Sequence, residues 1–193
     1  MRLVAEVKTH SPYGFESPYS WDHLFEIANR IGDIISIHAE EPWHGSLDLV
    51  RKAKTLTTKP ILAKGIFATD HQVEAAVEAG ASWVLVVNRI PKVYSEKCLI
   101  EPDSIAELQK LPPGTMAVWN SRNLDNGGIK PDDFSIARQE YLGWLCQASN
   151  IQHLKDINPL ADAVLIGTHL PDIDQGIQQI GGRAMLESYL KLI

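Results

Sequence analysis

The chain has 193 residues and a formal net charge of −6 at pH 7. This length suits one domain with a sizeable core, and the negative balance argues against a nucleic-acid partner, because phosphate-tracking surfaces concentrate lysine and arginine. The sequence has no apolar stretch of membrane-span length and no signal-peptide pattern, so no membrane partner is expected.

The two cysteines predict no disulfide. Cys98 and Cys146 both lie in apolar, strand-like runs. Two cysteines cannot build a disulfide framework, so we interpret them as buried thiols in a reducing, cytoplasmic environment.

The first predicted strand, within residues 2–8, carries two charges on one face. Side chains alternate along a strand, so Glu6 and Lys8 point to the same side as Val4. Burying both charges without partners is unfavourable, so they must meet water, a ligand or each other. An edge strand with a solvated face is the ordinary interpretation of such a segment. The rest of the chain favours a barrel mouth instead.

The remainder of the chain repeats strand, loop and helix. A loop rich in serine, proline and glycine covers residues 10–20. Further strands are predicted at residues 33–38, 60–64, 83–87, 98–101, 115–120, 141–148 and 163–167. Helices are predicted at residues 21–30, 47–55, 70–79, 105–110, 131–140 and 151–157, from residue 172, and at 183–192. Ser20 is the expected N-cap of the first helix, and Asp70 lies near the cap of the third.

Eight short strands alternating with helices predict an α/β fold, a single (β/α)8 barrel over residues 1–193. The connection after the fourth strand, residues 88–97, has only ten residues. A full crossover needs at least about 10–12, so we expect most of the fourth helix to be missing. A doubly wound open sheet is the main alternative. It predicts a glycine-rich turn after the first strand, where this chain has Thr9, His10, Ser11 and Pro12.

Polar residues follow nearly every predicted strand, at the end where barrels of this kind carry their chemistry. They are Glu6, Lys8, His38, Lys64, Glu101, Asn120, Arg122, Ser149, Gly167 and Thr168. The ordinary change from core to loop explains Ser149 and Thr168 well, but it explains Lys8 and Lys64 poorly. Two lysines and two glutamates facing one cavity are suited to general acid and base catalysis.

The last two strand ends match the place where such barrels bind phosphate. Gly167 and Thr168 follow the eighth strand, and Ser149 and Asn150 follow the seventh. The seven histidines include no pair with H-x-x-x-H spacing. We therefore expect a small phosphate-bearing ligand and neither a metal nor another cofactor.

These residues resemble those of the indole-3-glycerol phosphate synthases, barrel enzymes of tryptophan synthesis. The matching stretches occur in the family's order and cover nearly the whole chain. They are residues 5–8 (AEVK), 11–12 (SP), 36–46 (SIHAEEPWHGS), 60–64 (PILAK), 99–101 (LIE), 120–124 (NSRNL), 148–149 (AS) and 165–168 (LIGT). Each match is weak alone, but the ordered set is fairly specific.

The resemblance implies a carboxy-lyase that closes the indole ring of a carboxyphenylamino-deoxyribulose phosphate, with loss of carbon dioxide and water. It implies that Lys64 is the general acid and Glu101 the general base. Lys8, supported by Glu6, would handle the substrate carboxylate or the dehydration. The remaining implied roles are positioning of the intermediate by Asn120, phosphate binding by Ser11, Ser149, Gly167 and Thr168, and packing of Trp43 on the anthranilate ring. Arg122 would add positive charge.

The chain also departs from the family. The family carries a helical extension before the first strand, whereas Met1 here is almost at that strand, so we expect a shortened barrel. Ala148 stands where the family has glutamate, and Asn150 where it has glycine. These departures support an alternative function, a non-catalytic or repurposed barrel that binds a sugar phosphate. They leave open whether the chain acts as a homo-oligomer or with a partner subunit.

Overall fold

The computed structural model describes residues 1–192, and eight parallel strands close into a barrel. The strands are β1 Arg2–Val7, β2 Ile34–His38, β3 Ile61–Lys64, β4 Trp83–Val87, β5 Cys98–Glu101, β6 Met116–Asn120, β7 Leu145–Ala148 and β8 Ala163–Ile166. β1 pairs with both β2 and β8, which closes the ring. The predicted (β/α)8 barrel is confirmed, and the open-sheet alternative is wrong.

Seven α-helices accompany the barrel in the described residues. They are α1 Trp21–Ile31, α2 Leu47–Leu56, α3 Asp70–Glu78, α4 Ile105–Gln109, α5 Phe134–Glu140, α6 Leu170–Gln179 and α7 Leu186–Leu190. The first five begin after a side chain that accepts a hydrogen bond from a backbone N–H of the first turn, as Ser20 does for α1. The cap of α3 is Thr69, so Asp70 lies next to the cap, as predicted.

Outside the main strands and helices, one prediction is confirmed and three predicted segments differ from the structure. Between β4 and β5 there is only a 3₁₀ turn, Ser95–Lys97, so the missing fourth helix is confirmed. The predicted helix at 151–157 is wrong, because that segment forms only the 3₁₀ turn Leu154–Asp156. The Asp156 carboxylate accepts backbone N–H groups there and competes with helix formation. The predicted loop at 10–20 contains a short hairpin, and β7 begins at residue 145 instead of 141.

Apolar side chains pack on both sides of the strands. The barrel interior is filled by a layer that includes Val4, Leu62, Leu99, Val118 and Leu165. The opposite faces of the strands pack against the helices. Because alternate residues of β1 face inward, Glu6 follows Val4 on the interior side and reaches the mouth. Cys98 and Cys146 are buried free thiols, as predicted. Among residues 1–192, no helix combines the length and apolar character needed to cross a bilayer.

Candidate active site

The carboxyl ends of the strands enclose an opening with two adjoining lobes. The first lobe has a volume of about 480 Å³, and its lining includes Trp43, Glu101 and Asn120. The second has a volume of about 570 Å³ and lies at the ends of β7 and β8. Four residues line both lobes, namely Lys8, Lys64, Arg122 and Ser149. The two lobes therefore form one mouth with positive side chains between them.

Glu6 is the centre of a buried charged cluster in this mouth. The residue is 2% exposed. The ammonium of Lys64 donates to its Oε1 at 2.7 Å, and Nε2 of His38 lies 3.1 Å from the same oxygen. Burial by itself raises the pKa of the Glu6 carboxyl, but Lys64 and His38 outweigh burial and hold that pKa well below its ordinary value. Glu6 is therefore a carboxylate at neutral pH.

The pKa values of the two mouth lysines shift in opposite directions. Burial lowers the pKa of Lys8 to about 8, and the attraction of Glu6 compensates only in part. Burial also opposes the charge of Lys64, but Glu6 in direct contact and Glu101 nearby raise the pKa of that ammonium. At neutral pH Lys64 is therefore a charged donor, whereas Lys8 changes its charge near pH 8.

A hydrogen-bonded chain connects the ends of β5, β6 and β7. The amide nitrogen of Asn120 donates to Oε1 of Glu101 at 2.8 Å. The amide oxygen of Asn120 accepts the Ser149 hydroxyl at 2.6 Å and the backbone N–H of Arg122 at 3.0 Å. Burial raises the pKa of Glu101, although Lys64 and Asn120 oppose this shift. A carboxylate with a raised pKa, held by a fixed amide, is suited to accept a proton.

The second lobe is shaped by residues with unusual backbone requirements. Ser149 and Asn150 both have left-handed backbones, with φ of 66° and 57°. Asparagine tolerates this region better than most residues, which explains how Asn150 can stand where the family has glycine. Gly167 lies against Glu6, and Thr168 lines the same lobe. The strand ends predicted for phosphate binding thus meet in one place, beside Lys8 and Arg122.

Every residue predicted for the site lines one of the two lobes. These residues are Glu6, Lys8, Ser11, Trp43, Lys64, Glu101, Asn120, Arg122, Ser149, Gly167 and Thr168. Ser11 is expected to bind phosphate together with Gly167 and Thr168, but it lies in the other lobe. Ser11 lines the first lobe, whereas Gly167 and Thr168 line the second. Its hydroxyl accepts the backbone N–H of Tyr13 at 3.3 Å. Ser11 therefore helps to shape the loop after β1.

His38 is a site residue to which sequence reasoning assigned no role. The sequence places it at a strand end, but the family resemblance assigns it no role. In the structure it is 5% exposed, lines the first lobe, and stacks on Trp43 with ring centroids 5.7 Å apart and planes 5° from parallel. Its position in the strand could have indicated a place in the site. His38 lies two residues after Ser36 and four after Ile34, so all three side chains are on the inward face of β2.

One group of potential metal ligands, His10, Glu16 and His44, lies within residues 1–192 at the rim of the mouth. His10 contacts the Glu16 carboxylate across the short hairpin. The imidazoles of His10 and His44 are stacked, with centroids 3.8 Å apart and planes 9° from parallel. The in-plane nitrogen lone pairs of stacked rings do not converge on one point, so this group is not a preformed metal site.

No family model matches the chain. The indole-3-glycerol phosphate synthase of Thermococcus kodakarensis is 28% identical over 207 residues, covering 92% of this chain and 91% of that protein. The enzyme of the same name from Pyrococcus furiosus is also 28% identical and covers 87% and 85%.

Solved structures support the fold. A 3-hexulose-6-phosphate synthase superposes with a TM-score of 0.63 at 16% identity, covering 100% of this chain and 99% of that one. The structure of the same-named enzyme from Salmonella typhimurium has the same TM-score and identity and covers 100% and 97%. At this identity the likeness is one of barrel architecture. The sequence relatives confirm the resemblance predicted from the residues: over most of its length this chain is similar to the indole-3-glycerol phosphate synthases, from which it has diverged.

Proposed function

We propose that this chain is a carboxy-lyase that closes the indole ring of a carboxyphenylamino-deoxyribulose phosphate. The observation that carries the proposal is the convergence of Lys64 and Glu101 on one lobe, with Lys8 and Asn120 beside them. The family resemblance implies that Lys64 is the general acid and Glu101 the general base. It also implies a cation at Lys8 and a positioning amide at Asn120. The names of the sequence relatives support the same reaction.

Lys64 is the general acid in this proposal. The aromatic carbon that bears the carboxylate bonds to the carbonyl carbon of the sugar, and the carbonyl oxygen takes a proton from the Lys64 ammonium. Loss of carbon dioxide from the same aromatic carbon returns its electron pair to the ring. The contact with Glu6 keeps Lys64 charged before the reaction, and the barrel holds its ammonium in the mouth.

Glu101 and Lys8 act in the loss of water and in binding the substrate carboxylate. The hydroxyl formed at ring closure takes a proton from the charged form of Lys8 and leaves as water, and Glu101 accepts the proton that is removed from the neighbouring carbon. Asn120 holds Glu101 in place through its 2.8 Å hydrogen bond. Lys8, when charged, attracts the substrate carboxylate.

The two lobes suit the two ends of this substrate. The phosphate would lie in the second lobe against Ser149, Gly167 and Thr168, with positive charge from Arg122 and Lys8. The aromatic ring would lie in the first lobe, where Trp43 offers a flat apolar surface. Ser11 is left out of the phosphate set because it lines the first lobe.

Incubation of the purified protein with the carboxyphenylamino-deoxyribulose phosphate tests the proposal, with indole fluorescence as the readout. We expect product from the natural chain. We expect Lys64→Ala to form product at a rate at least ~100-fold lower, because removal of a general acid usually slows a reaction by this factor or more. Lys110→Ala is the matched control, because Lys110 is an exposed lysine paired with Glu107 and should leave the rate unchanged. No product from the natural chain would remove the proposal.

Ala148 favours a second candidate, a barrel that binds a sugar phosphate without closing the ring. Ala148 is 1% exposed at the end of β7, where the family has a glutamate. A carboxylate that could contact the substrate is therefore lost. Binding of the same compound in a calorimeter, with no fluorescent product, would favour this second function over the first.

A further inference from the structure

We propose that His38 is a positioning residue that holds the Glu6 carboxylate independently of Lys64, so that Lys64 can give its proton to the substrate. The role of Lys64 rests on the proposed function. The contacts between His38 and Glu6 do not.

Two donors approach one oxygen in this cluster. Lys64 Nζ donates a hydrogen bond to Oε1 of Glu6 at 2.7 Å, whereas His38 Nε2 lies 3.1 Å from the same oxygen outside hydrogen-bond geometry, so within residues 1–192 this buried nitrogen has no hydrogen-bond partner. β2 runs between β1 and β3, and His38 is the register partner of Lys64. The imidazole therefore stands beside both members of the ion pair. Its side chain is 6% exposed and that of Glu6 is 3% exposed, so water cannot substitute for either partner.

The second donor matters once the proton has moved. When Lys64 protonates the carbonyl oxygen, it becomes a neutral amine, and Glu6 loses the charge that stabilised it. A buried carboxylate without a donor is strongly unfavourable, and it would either take a proton or turn away. His38 Nε2 still lies beside the same oxygen and has no other partner, so it can complete a hydrogen bond to Glu6 and keep it charged and in place. Because Glu6 stays charged, it stabilises the ammonium again when Lys64 takes up a proton from solvent at the end of each turnover.

The surroundings of His38 fix it as a neutral donor. Burial lowers its pKa, Lys64 and Lys8 act in the same direction, and Glu6 opposes them. The ring is therefore neutral at pH 7, with one protonated nitrogen. Because Glu6 is a carboxylate and only accepts, the proton belongs on Nε2. Trp43 stacks on the ring and limits its rotation.

Two variants of His38 separate donation from packing. His38→Leu fills similar space without a donor, whereas His38→Gln places an amide N–H near the position of Nε2. We expect His38→Leu to lower kcat by roughly tenfold or more with little change in KM, and His38→Gln to restore most of the loss. His71→Gln, on the exposed face of α3, is the control. Equal kcat in the leucine and glutamine variants would overturn the proposal.

A second measurement does not depend on turnover. In protein labelled with ¹⁵N-histidine, we expect the His38 ring at pH 7 to show a protonated Nε2 and an unprotonated Nδ1, and Glu6→Gln to weaken this preference. A protonated Nδ1 in the natural chain would contradict the proposal. If the natural chain makes no indole product, the proposed function fails, and the nitrogen shifts still decide whether His38 holds Glu6.

Discussion

Gly167 lies so close to Glu6 that a Cβ on the glycine would stand 1.9 Å from Oε2 of the carboxylate. Gly167 directly follows β8, and β8 pairs with β1, which carries Glu6. The absence of a side chain at residue 167 therefore makes room for the charged cluster. This requirement exists in addition to the phosphate contact that the family resemblance implies.

Gly167→Ala should push Glu6 away from Lys64. We expect a loss of about 1–3 kcal/mol in the free energy of unfolding, since overpacking against buried side chains has effects of this size. Urea denaturation measures it. Gly128→Ala is the control, because a Cβ there would meet only the flexible end of Asn126 as its near neighbour. A Gly167→Ala protein as stable as the natural chain would show that Glu6 is not confined in this way.

The Glu6–Lys64 ion pair should show strong coupling in a double-mutant cycle. Lys64→Met leaves Glu6 as a buried carboxylate with a weaker partner, so we expect a loss of about 3 kcal/mol or more. Adding Glu6→Gln removes the unpaired charge and should recover part of that loss. Urea denaturation of the two single variants and the double variant measures the coupling. Additive losses would mean that the two side chains do not stabilise each other.

Lys8 should titrate near pH 8, below its ordinary range. Between pH 8 and the unfolded value of 10.5, the folded chain binds fewer protons at Lys8 than the unfolded chain, so its contribution to stability rises with pH. Below about pH 8 the penalty for burying the charge is fully present. NMR of ¹³C-labelled lysine measures the pKa directly. Glu6→Gln should lower this pKa further, because it removes an attractive charge, and an unchanged value would contradict the geometry.

Asn120 should control the protonation of Glu101. The hydrogen bond from Asn120 lowers the pKa of this carboxyl and partly offsets the effect of burial, so Asn120→Ala should raise the pKa further. Glu101 must be unprotonated to act as a base, and the rate should fall as the pH drops through its pKa. In the alanine variant this acidic limb of kcat/KM should move to higher pH. If the acidic limb of the profile does not move in the alanine variant, a group other than Glu101 controls it.

Sequence reasoning reached the barrel and most of its mouth for a simple physical reason. Buried parallel strands appear as short apolar runs, and the residue that ends each run must face the mouth or the helices. Glu6 and Lys64 could be placed together because both interrupt such runs. The missing fourth helix could be predicted from the number of residues between β4 and β5.

The remaining features depend on contacts that the sequence does not display. The hairpin after β1 requires His10 to meet Glu16, and the turn at 154–156 requires Asp156 to bind the backbone before it. The role of His38 appears only when β2 is seen between β1 and β3. Ser11 could not be assigned to a lobe, because its place depends on how the loop after β1 folds over the mouth.

Release of labelled carbon dioxide from carboxyl-labelled carboxyphenylamino-deoxyribulose phosphate tests the central claim most directly, because it reports bond cleavage at the carbon where the new ring bond forms. We expect the natural chain to release one carbon dioxide for each indole product. Lys64→Ala and Glu101→Gln should each reduce the steady-state rate of label release by ~100-fold or more, in the second case because the dehydration must finish before the next turnover. A natural chain that binds the compound and releases no label, or variants that release it at the natural rate, would contradict the account.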